Sequence, residues 1–201
     1  MCANEFPNNE DFGRHLSNAH YIVGVNTIEQ AFTPLYGKPC WGISYDCQTN
    51  VAMNFGKPRL RIREPYNTRS KSKHIQQLAA RRLVTVRGEW RLWIFCAYWR
   101  VYKYRKYLGG FSSVFRKGEI ALHFLQGQKL RKVSVNATTG ASLFEFDLGG
   151  VLEIRRLRMY DRGADLWLLY RPNGYVLSVH GDGTYDHAPG SGCDAEARRF
   201  T

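Results

Sequence analysis

Apolar and polar residues alternate with a period of two along much of the chain, which is typical of strands with one buried face. The clearest pair of alternating runs lies near residue 50. It consists of Trp41, Ile43 and Tyr45, followed by Val51, Met53 and Phe55. The residues between the two runs, 46–50, are turn formers, so residues 41–55 are predicted to form a hairpin.

Shorter elements flank this hairpin. Residues 21–25 are a candidate for a short strand. A third strand is predicted at residues 59–63, bounded by Pro58 and Pro65, with Leu60 and Ile62 on one face and arginines on the other. One short helix is predicted near 73–82, with Ser72 as its N-cap, because its apolar residues recur at helical spacing.

The most apolar part of the chain is predicted to form the central strand. Residues 83–87 are one strand candidate, and residues 90–103 follow after Gly88 and Glu89. In residues 90–103 both alternating sets are apolar, a pattern typical of a strand buried on both faces.

The second half of the chain is predicted to form a meander. Its candidate strands are 119–126, 130–136, 142–147, 151–159, 165–171 and 174–180. Turn-forming pairs separate them, and Asn173-Gly174 is the strongest hairpin signal among these. The fold class expected is mainly β (α+β), an antiparallel meander forming a curled sheet, a sandwich or a partly open barrel.

Composition is compatible with one packed domain. Hydrophobic residues make up 44% of the 201 and aromatic residues 14%. We expect a loosely ordered arm at residues 1–20, a single β-rich domain at 21–187 and a tail at 188–201. The apolar stretch 92–99 is too short to span a bilayer, and the N-terminus lacks the apolar run of a signal peptide.

Cysteine usage favours a reducing compartment. The five cysteines are an odd set without a C-x-x-C pair. We therefore expect a cytoplasmic protein, although a disulfide between Cys40 and Cys47 across the predicted hairpin stays open.

Positive charge is concentrated in one quarter of the chain. The formal net charge is +12, and residues 57–106 contain fifteen basic residues opposed only by Glu64 and Glu89. The remainder of the chain is nearly neutral. A block of this kind attracts polyanions, namely nucleic acid, an anionic membrane surface or an acidic protein.

Within this block, cations and aromatic side chains interleave. The residues predicted to bind a partner are Arg59, Arg61, Arg63, Arg69, Lys71, Lys73, Arg100, Tyr102, Lys103, Tyr104, Arg105 and Lys106. The leading expectation is a protein partner with an acidic surface. The alternative is DNA or RNA, because cations beside exposed rings are how single-stranded nucleic acid is bound.

Catalytic and metal-binding chemistry is weakly indicated. Cys40 lies in a strand-like pattern, whereas a nucleophilic thiolate needs a helix N-terminus and a nearby histidine. His180, Asp182, Asp186 and His187 include metal-ligand types, but Gly-Asp-Gly is also what a tight turn requires. Phosphate-loop, dinucleotide-binding and metalloprotease motifs are missing from the sequence. We therefore expect neither an enzyme nor a cofactor.

One part of the chain resembles a known group of proteins. Residues 143–187 resemble small uncharacterised bacterial proteins found among the immunity proteins of polymorphic toxin systems. The shared residues are Phe146-Asp147-Leu148-Gly149-Gly150, Trp167, Pro172-Asn173-Gly174 and Asp182-Gly183. The resemblance implies a non-catalytic, immunity-like binding role in a bacterium.

Overall fold

The computed structural model describes residues 25–46 and 50–190. Its helices are α1 (Val25–Phe32), α2 (Lys73–Ala79) and α3 (Phe115–His123), and a 3₁₀ turn follows α1 at Thr33–Leu35. The strands are β1 (Cys40–Asp46), β2 (Asn50–Arg63), β3 (Leu83–Ile94), β4 (Ala97–Lys103), β5 (Lys106–Gly110), β6 (Leu130–Val135), β7 (Ser142–Phe146), β8 (Gly150–Arg156), β9 (Asp165–Tyr170), β10 (Tyr175–His180) and β11 (Tyr185–Pro189).

The strands form two antiparallel sheets. The six-stranded sheet has the order β1-β2-β3-β9-β10-β11, and the five-stranded sheet has the order β5-β4-β8-β7-β6. Their inner faces share one core, in which the rings of Phe144 and Trp167 meet edge to face at 5.7 Å and those of Tyr45 and Trp99 at 5.4 Å. The predicted fold class is confirmed, and its two-layer form corresponds to the sandwich among the alternatives.

The hairpin at 41–55 and the short helix near 73–82 are confirmed. β1 pairs with β2 in antiparallel orientation from Cys40 and Phe55 to Asp46 and Asn50, and α2 follows Ser72. The boundary at Pro58 is wrong, because β2 runs through it to Arg63 without a break. Pro58 is tolerated there since it follows a bulge and stands opposite Gly88, at a place where β1 no longer pairs with β2.

The prediction of one central strand at 90–103 is wrong in its extent. The chain leaves the six-stranded sheet after Ile94, bends at Cys96 with φ of 54°, and enters the five-stranded sheet as β4. β3 is apolar on both faces only at its C-terminal end, where Trp93 joins a small buried cluster with Ala52 and Leu168 on the outer face of its sheet.

The strand predicted at 119–126 is also wrong, because α3 and the turn after it occupy this region. Gly118, Ala121, Leu122 and Leu125 are the buried residues here, and their spacing is helical. Ile120 and Phe124 supplied the apparent strand alternation, but Ile120 points into solvent.

The ends of the fold differ from prediction in two places. Val25 begins α1, whereas residues 21–24 of the predicted first strand and the predicted arm at 1–20 lie outside the described residues. β11 includes Ala188 and Pro189, so the sheet extends two residues into the predicted tail. In the described part of the chain, none of the helices combines the length and the apolar character that crossing a membrane requires.

Candidate interaction surface

A two-stranded extension projects from the six-stranded sheet. Residues 58–63 of β2 pair with residues 83–88 of β3, and we call this extension the ribbon. β1 pairs with β2 only up to Phe55, and β9 pairs with β3 only from Arg91 onward. Within the described ranges, both outer edges of the ribbon are therefore without a neighbouring strand.

The base of the ribbon is fixed by Gly56 and Glu89. A bulge at Gly56 interrupts the register, and its φ of +78° lies in the left-handed region that favours glycine. A Cβ at this position would lie 2.6 Å from Oε2 of Glu89. The indole N–H of Trp41 donates to the carbonyl oxygen of Gly56 at 3.0 Å, which ties the base to β1.

The carboxylate of Glu89 clamps the first residues of the ribbon. It accepts hydrogen bonds from the backbone N–H of Lys57 at 3.2 Å and from the guanidinium of Arg59 at 3.0 Å. These two donors, the backbone one first, lower the pKa of Glu89 below its ordinary value near 4.5. The clamp is therefore an ionised carboxylate at neutral pH.

The two faces of the ribbon differ in chemistry. Leu60 stands opposite Val86, and Ile62 stands opposite Val84, so the four aliphatic side chains share one face. The arginines lie on the other face, where Arg59 stands opposite Arg87 in the register of the two strands. The aliphatic side chains are between 53% and 70% exposed, and we call their surface the aliphatic face.

Residues 64–82 connect the two strands of the ribbon and include α2; we call this segment the tip, and it folds toward the arginine face. The guanidinium of Arg63 donates to the carbonyl oxygen of Leu78 in α2 at 2.8 Å and lies 5.0 Å from the centre of the Tyr66 ring. The Tyr66 N–H in turn donates to the carbonyl oxygen of Ala79. Arg63 therefore fastens the tip, and α2 leaves the aliphatic face open.

Cations dominate the ribbon and its tip. Residues 57–91 contain eleven basic residues and two acidic ones, Glu64 and Glu89. Both carboxylates are already paired, Glu89 with Arg59 and Glu64 with Arg82 at 2.8 Å. Arg69, Lys71 and Lys73 are exposed at the tip, so the positive field there is not cancelled locally.

The structure divides the predicted binding residues between the two sheets. Arg59, Arg61 and Arg63 lie on the ribbon, whereas Arg100 and Tyr102 lie on β4 in the other sheet. Arg100 donates to the Tyr98 hydroxyl at 2.6 Å, and its guanidinium lies 4.9 Å from the centre of the same ring. Arg100 therefore packs within the outer face of the five-stranded sheet.

Tyr102 is held within the same face. Its side chain is buried, and its hydroxyl donates to Glu153 at 3.2 Å. Burial first, and then the negative charge of Glu153, raise the pKa of this phenol above its ordinary value of 10. A nucleobase has no access to a ring in this position.

The remaining predicted residues form a separate basic turn. Tyr104 and Arg105 both have positive φ, at 45° and 70°, as in a two-residue hairpin turn between β4 and β5. The ammonium of Lys103 lies 5.3 Å from the centre of the Phe124 ring, and the Tyr104 ring covers Gly149. Lys103, Tyr104, Arg105 and Lys106 are exposed, but they belong to the second sheet.

Cys40 is a core thiol. Its Sγ–H donates to the carbonyl oxygen of Leu125 at 2.8 Å, and the residue is fully buried. Burial raises the pKa of Cys40 to about 12, so the reactive thiolate is suppressed at neutral pH. Cys40 carries a free thiol, and Cys47 lies outside the described residues.

The His180–His187 cluster divides into separate contacts. His180 lies between Asp165 and Asp186, with nitrogen-to-oxygen distances of 3.1 Å to both. Asp182 instead accepts hydrogen bonds from Thr184 in the turn, and His187 contacts Arg171. Among the described residues, no three His, Cys, Asp or Glu side chains are grouped to hold a metal ion.

Sequence reasoning missed two features of this surface. Val84 and Val86 are predicted only as part of a strand at 83–87, and Arg87 only as part of the basic segment. The pairing places Val84 opposite Ile62, Val86 opposite Leu60 and Arg87 opposite Arg59. The aliphatic alternation itself was visible, but in the sequence it indicated a buried face.

Comparisons with protein-family models, with curated proteins and with solved structures found no match for this chain.

Proposed function

We propose that this chain is a non-catalytic interaction protein that binds another protein through the ribbon. The observation that supports the proposal most is the aliphatic face, where Leu60, Ile62, Val84 and Val86 are each more than half exposed. Contiguous exposed apolar side chains bordered by charge are characteristic of protein interaction sites. A role like that of immunity proteins stays a prediction within this proposal.

The chemistry of the partner follows from that of the ribbon. An apolar patch on the partner would cover the aliphatic face, because burying such side chains is the main source of binding free energy. Acidic residues beside that patch would be attracted to the exposed cations of the tip, Arg69, Lys71 and Lys73. Such complementary charge accelerates association and orients the encounter.

Nucleic acid is the second candidate, supported by the eleven basic residues of 57–91. Phosphates are bound by cations, polar side chains and backbone N–H groups, and none of these contacts uses an exposed row of aliphatic side chains. The burial of Tyr102 also removes one ring from the predicted stacking surface. The protein partner is therefore the better supported of the two.

Affinity capture with matched variants tests the proposal. Ile62→Ser with Val84→Ser removes the centre of the aliphatic face, and Arg69→Glu with Lys71→Glu reverses charge at the tip. Val114→Ser with Ile120→Ser is the control, because these aliphatic residues around α3 are at least as exposed and lie away from the ribbon. Circular dichroism would verify that all variants fold.

We expect one protein, retained at fixed stoichiometry by the wild type and by the control. The aliphatic variant should weaken its binding by at least about tenfold, since it removes the centre of the interface. The charge variant should mainly slow its association. Equal retention by all variants would contradict the proposal.

Fluorescence anisotropy with labelled single-stranded DNA, duplex DNA and RNA tests the second candidate. Tight binding that falls steeply with salt, and falls less steeply in the charge variant, would favour nucleic acid. Weak binding that ends at physiological salt would favour the protein partner.

A further inference from the structure

An arginine-lined cavity lies at the edge of the five-stranded sheet, outside the basic segment. It has a volume of about 530 Å³ and opens between the end of β8, the turn before β7 and the turn before β11. Four arginines line it within eight positions of the chain, and two threonines add hydroxyl groups. These residues are Arg155, Arg156, Arg158, Arg162, Thr138 and Thr139.

The cavity has an excess of positive charge. Glu153 and Asp182 are its two carboxylates, and each is already engaged. Glu153 accepts hydrogen bonds from Arg155 at 2.7 Å and from Tyr102. Asp182 accepts the hydroxyl and the backbone N–H of Thr184, and these donors lower its pKa, so it stays ionised.

Among the residues that the structure describes, three of the arginines have no carboxylate partner. Arg156 is oriented by donating to the carbonyl oxygen of Tyr160 at 3.0 Å. Arg158 and Arg162 are exposed, and neither forms an ion pair with a carboxylate in residues 25–46 or 50–190. Guanidinium groups left in this state are suited to an oxyanion, which they bind with paired N–H donors.

The wall of the cavity is preformed. The Asn136 side chain accepts the backbone N–H groups of Thr138 and Thr139 at 2.9 and 3.1 Å, which fixes the turn before β7. This turn lies against His180 so closely that a Cβ at Gly140 would stand 2.0 Å from the His180 carbonyl oxygen. A preformed cavity of this volume is typical of small-ligand sites.

We propose that this cavity binds a small phosphorylated molecule, with its phosphate or diphosphate group on Arg156, Arg158 and Arg162. A phosphate group matches the net positive charge of the lining, and guanidinium groups bind its oxygens with paired N–H donors. Thr138 and Thr139 supply hydroxyl groups for the remainder of the ligand. This site is independent of the ribbon, and its test does not depend on the function proposed above.

Isothermal titration calorimetry at low salt tests the site with pyrophosphate, AMP and ADP as probes. The test variant is Arg158→Ala with Arg162→Ala, which leaves the buried network around Glu153 intact. The control is Arg131→Ala with Lys132→Ala, which removes two exposed cations from β6 in the same sheet. Unfolding curves of both variants would verify that the fold is retained.

We expect one equivalent of ADP or pyrophosphate to bind to the wild type and to the control. The test variant should bind at least about tenfold more weakly, because hydrogen bonds to charged groups are lost. If ADP binds more tightly than pyrophosphate, the cavity also contacts the nucleoside part of the ligand. If the two affinities are equal, the cavity recognises only the diphosphate group.

Three results would overturn the proposal. One is the lack of saturable binding to any of the probes. Another is unchanged affinity in the test variant. The third is an equal loss in the control, which would assign the binding to overall charge instead of the cavity.

Discussion

The hairpin of β2 and β3 has two regions with the same antiparallel pairing and the same alternation of side chains. In one region the apolar face is buried, and in the other it is exposed to solvent. In the body of the protein, Met53, Phe55 and Leu92 point inward and are fully buried. In the ribbon, Leu60, Ile62 and Val86 continue the alternation, and all three are mostly exposed. The difference arises because the five-stranded sheet covers the body and not the ribbon.

The two regions show that an alternating pattern and the burial of its apolar face are separate properties. Alternation determines which side chains share a face of a strand. Burial of that face depends on a second layer, which is contributed by residues far away in the chain. The same residue types therefore stabilise the fold in the body and are available for binding in the ribbon.

The largest difference is expected between core and ribbon truncations. Phe55→Ala should lower the free energy of unfolding by about 3–5 kcal/mol, because it leaves a cavity in the shared core. Ile62→Ala should change it by less than about 0.5 kcal/mol, since the side chain is already exposed. Urea unfolding of both variants measures the difference. Similar losses in the two would mean that the ribbon is covered in solution.

A smaller effect is expected at the junction of the two regions. Gly56→Ala should destabilise the protein by about 1–3 kcal/mol, because it combines a strained φ with a clash against Glu89. Gly37→Ala is the matched control, with a φ of +80° and open space around the position of its Cβ. Urea unfolding should give a clearly larger loss for Gly56→Ala. Equal losses of unfolding free energy in the two variants would mean that the clash with Glu89 has no effect and that the positive φ accounts for both losses.

A third effect concerns pH. The buried Cys40 has a pKa near 12 in the folded state and near 9.0 when unfolded, so its stabilising contribution is complete below pH 9. Above pH 9 the unfolded state loses this proton first, and stability should fall by up to about 1.4 kcal/mol per pH unit. Cys40→Ala should remove this part of the decline. Unfolding curves between pH 8 and 11 compare the two slopes, and parallel slopes would contradict the assignment.

Some of the fold was predictable because local rules agree there. The hairpin at 41–55 combines two alternating runs with turn-forming residues, and Asn173-Gly174 marks the β9–β10 hairpin. The bend at Cys96 was not predictable, because a residue other than glycine adopts a positive φ there without any sequence signal. In α3, Ile120 and Phe124 imitated strand alternation, while the buried set at 118, 121, 122 and 125 had helical spacing.

The candidate surfaces depended more on tertiary structure. Counting charges located the basic segment, but the crossing at Cys96 distributes that segment over two sheets. Residues 102–107 are too polar to be buried as a whole, which predicts Tyr102 as a binding residue, whereas Glu153 of β8 gives the Tyr102 hydroxyl a partner within the sheet. The four arginines at 155–162 are visible in the sequence, but only the fold brings them beside Thr138 and Asp182.

The open edges of the ribbon also matter for the protein at high concentration. An unpaired strand edge offers its backbone N–H and C=O groups to any other strand, which is a common origin of aggregation. Residues 57–91 contain eleven basic residues and two acidic ones, so two ribbons that approached edge to edge would repel each other. This positive charge would therefore oppose self-assembly, and the charge that would attract an acidic partner would also keep identical molecules apart.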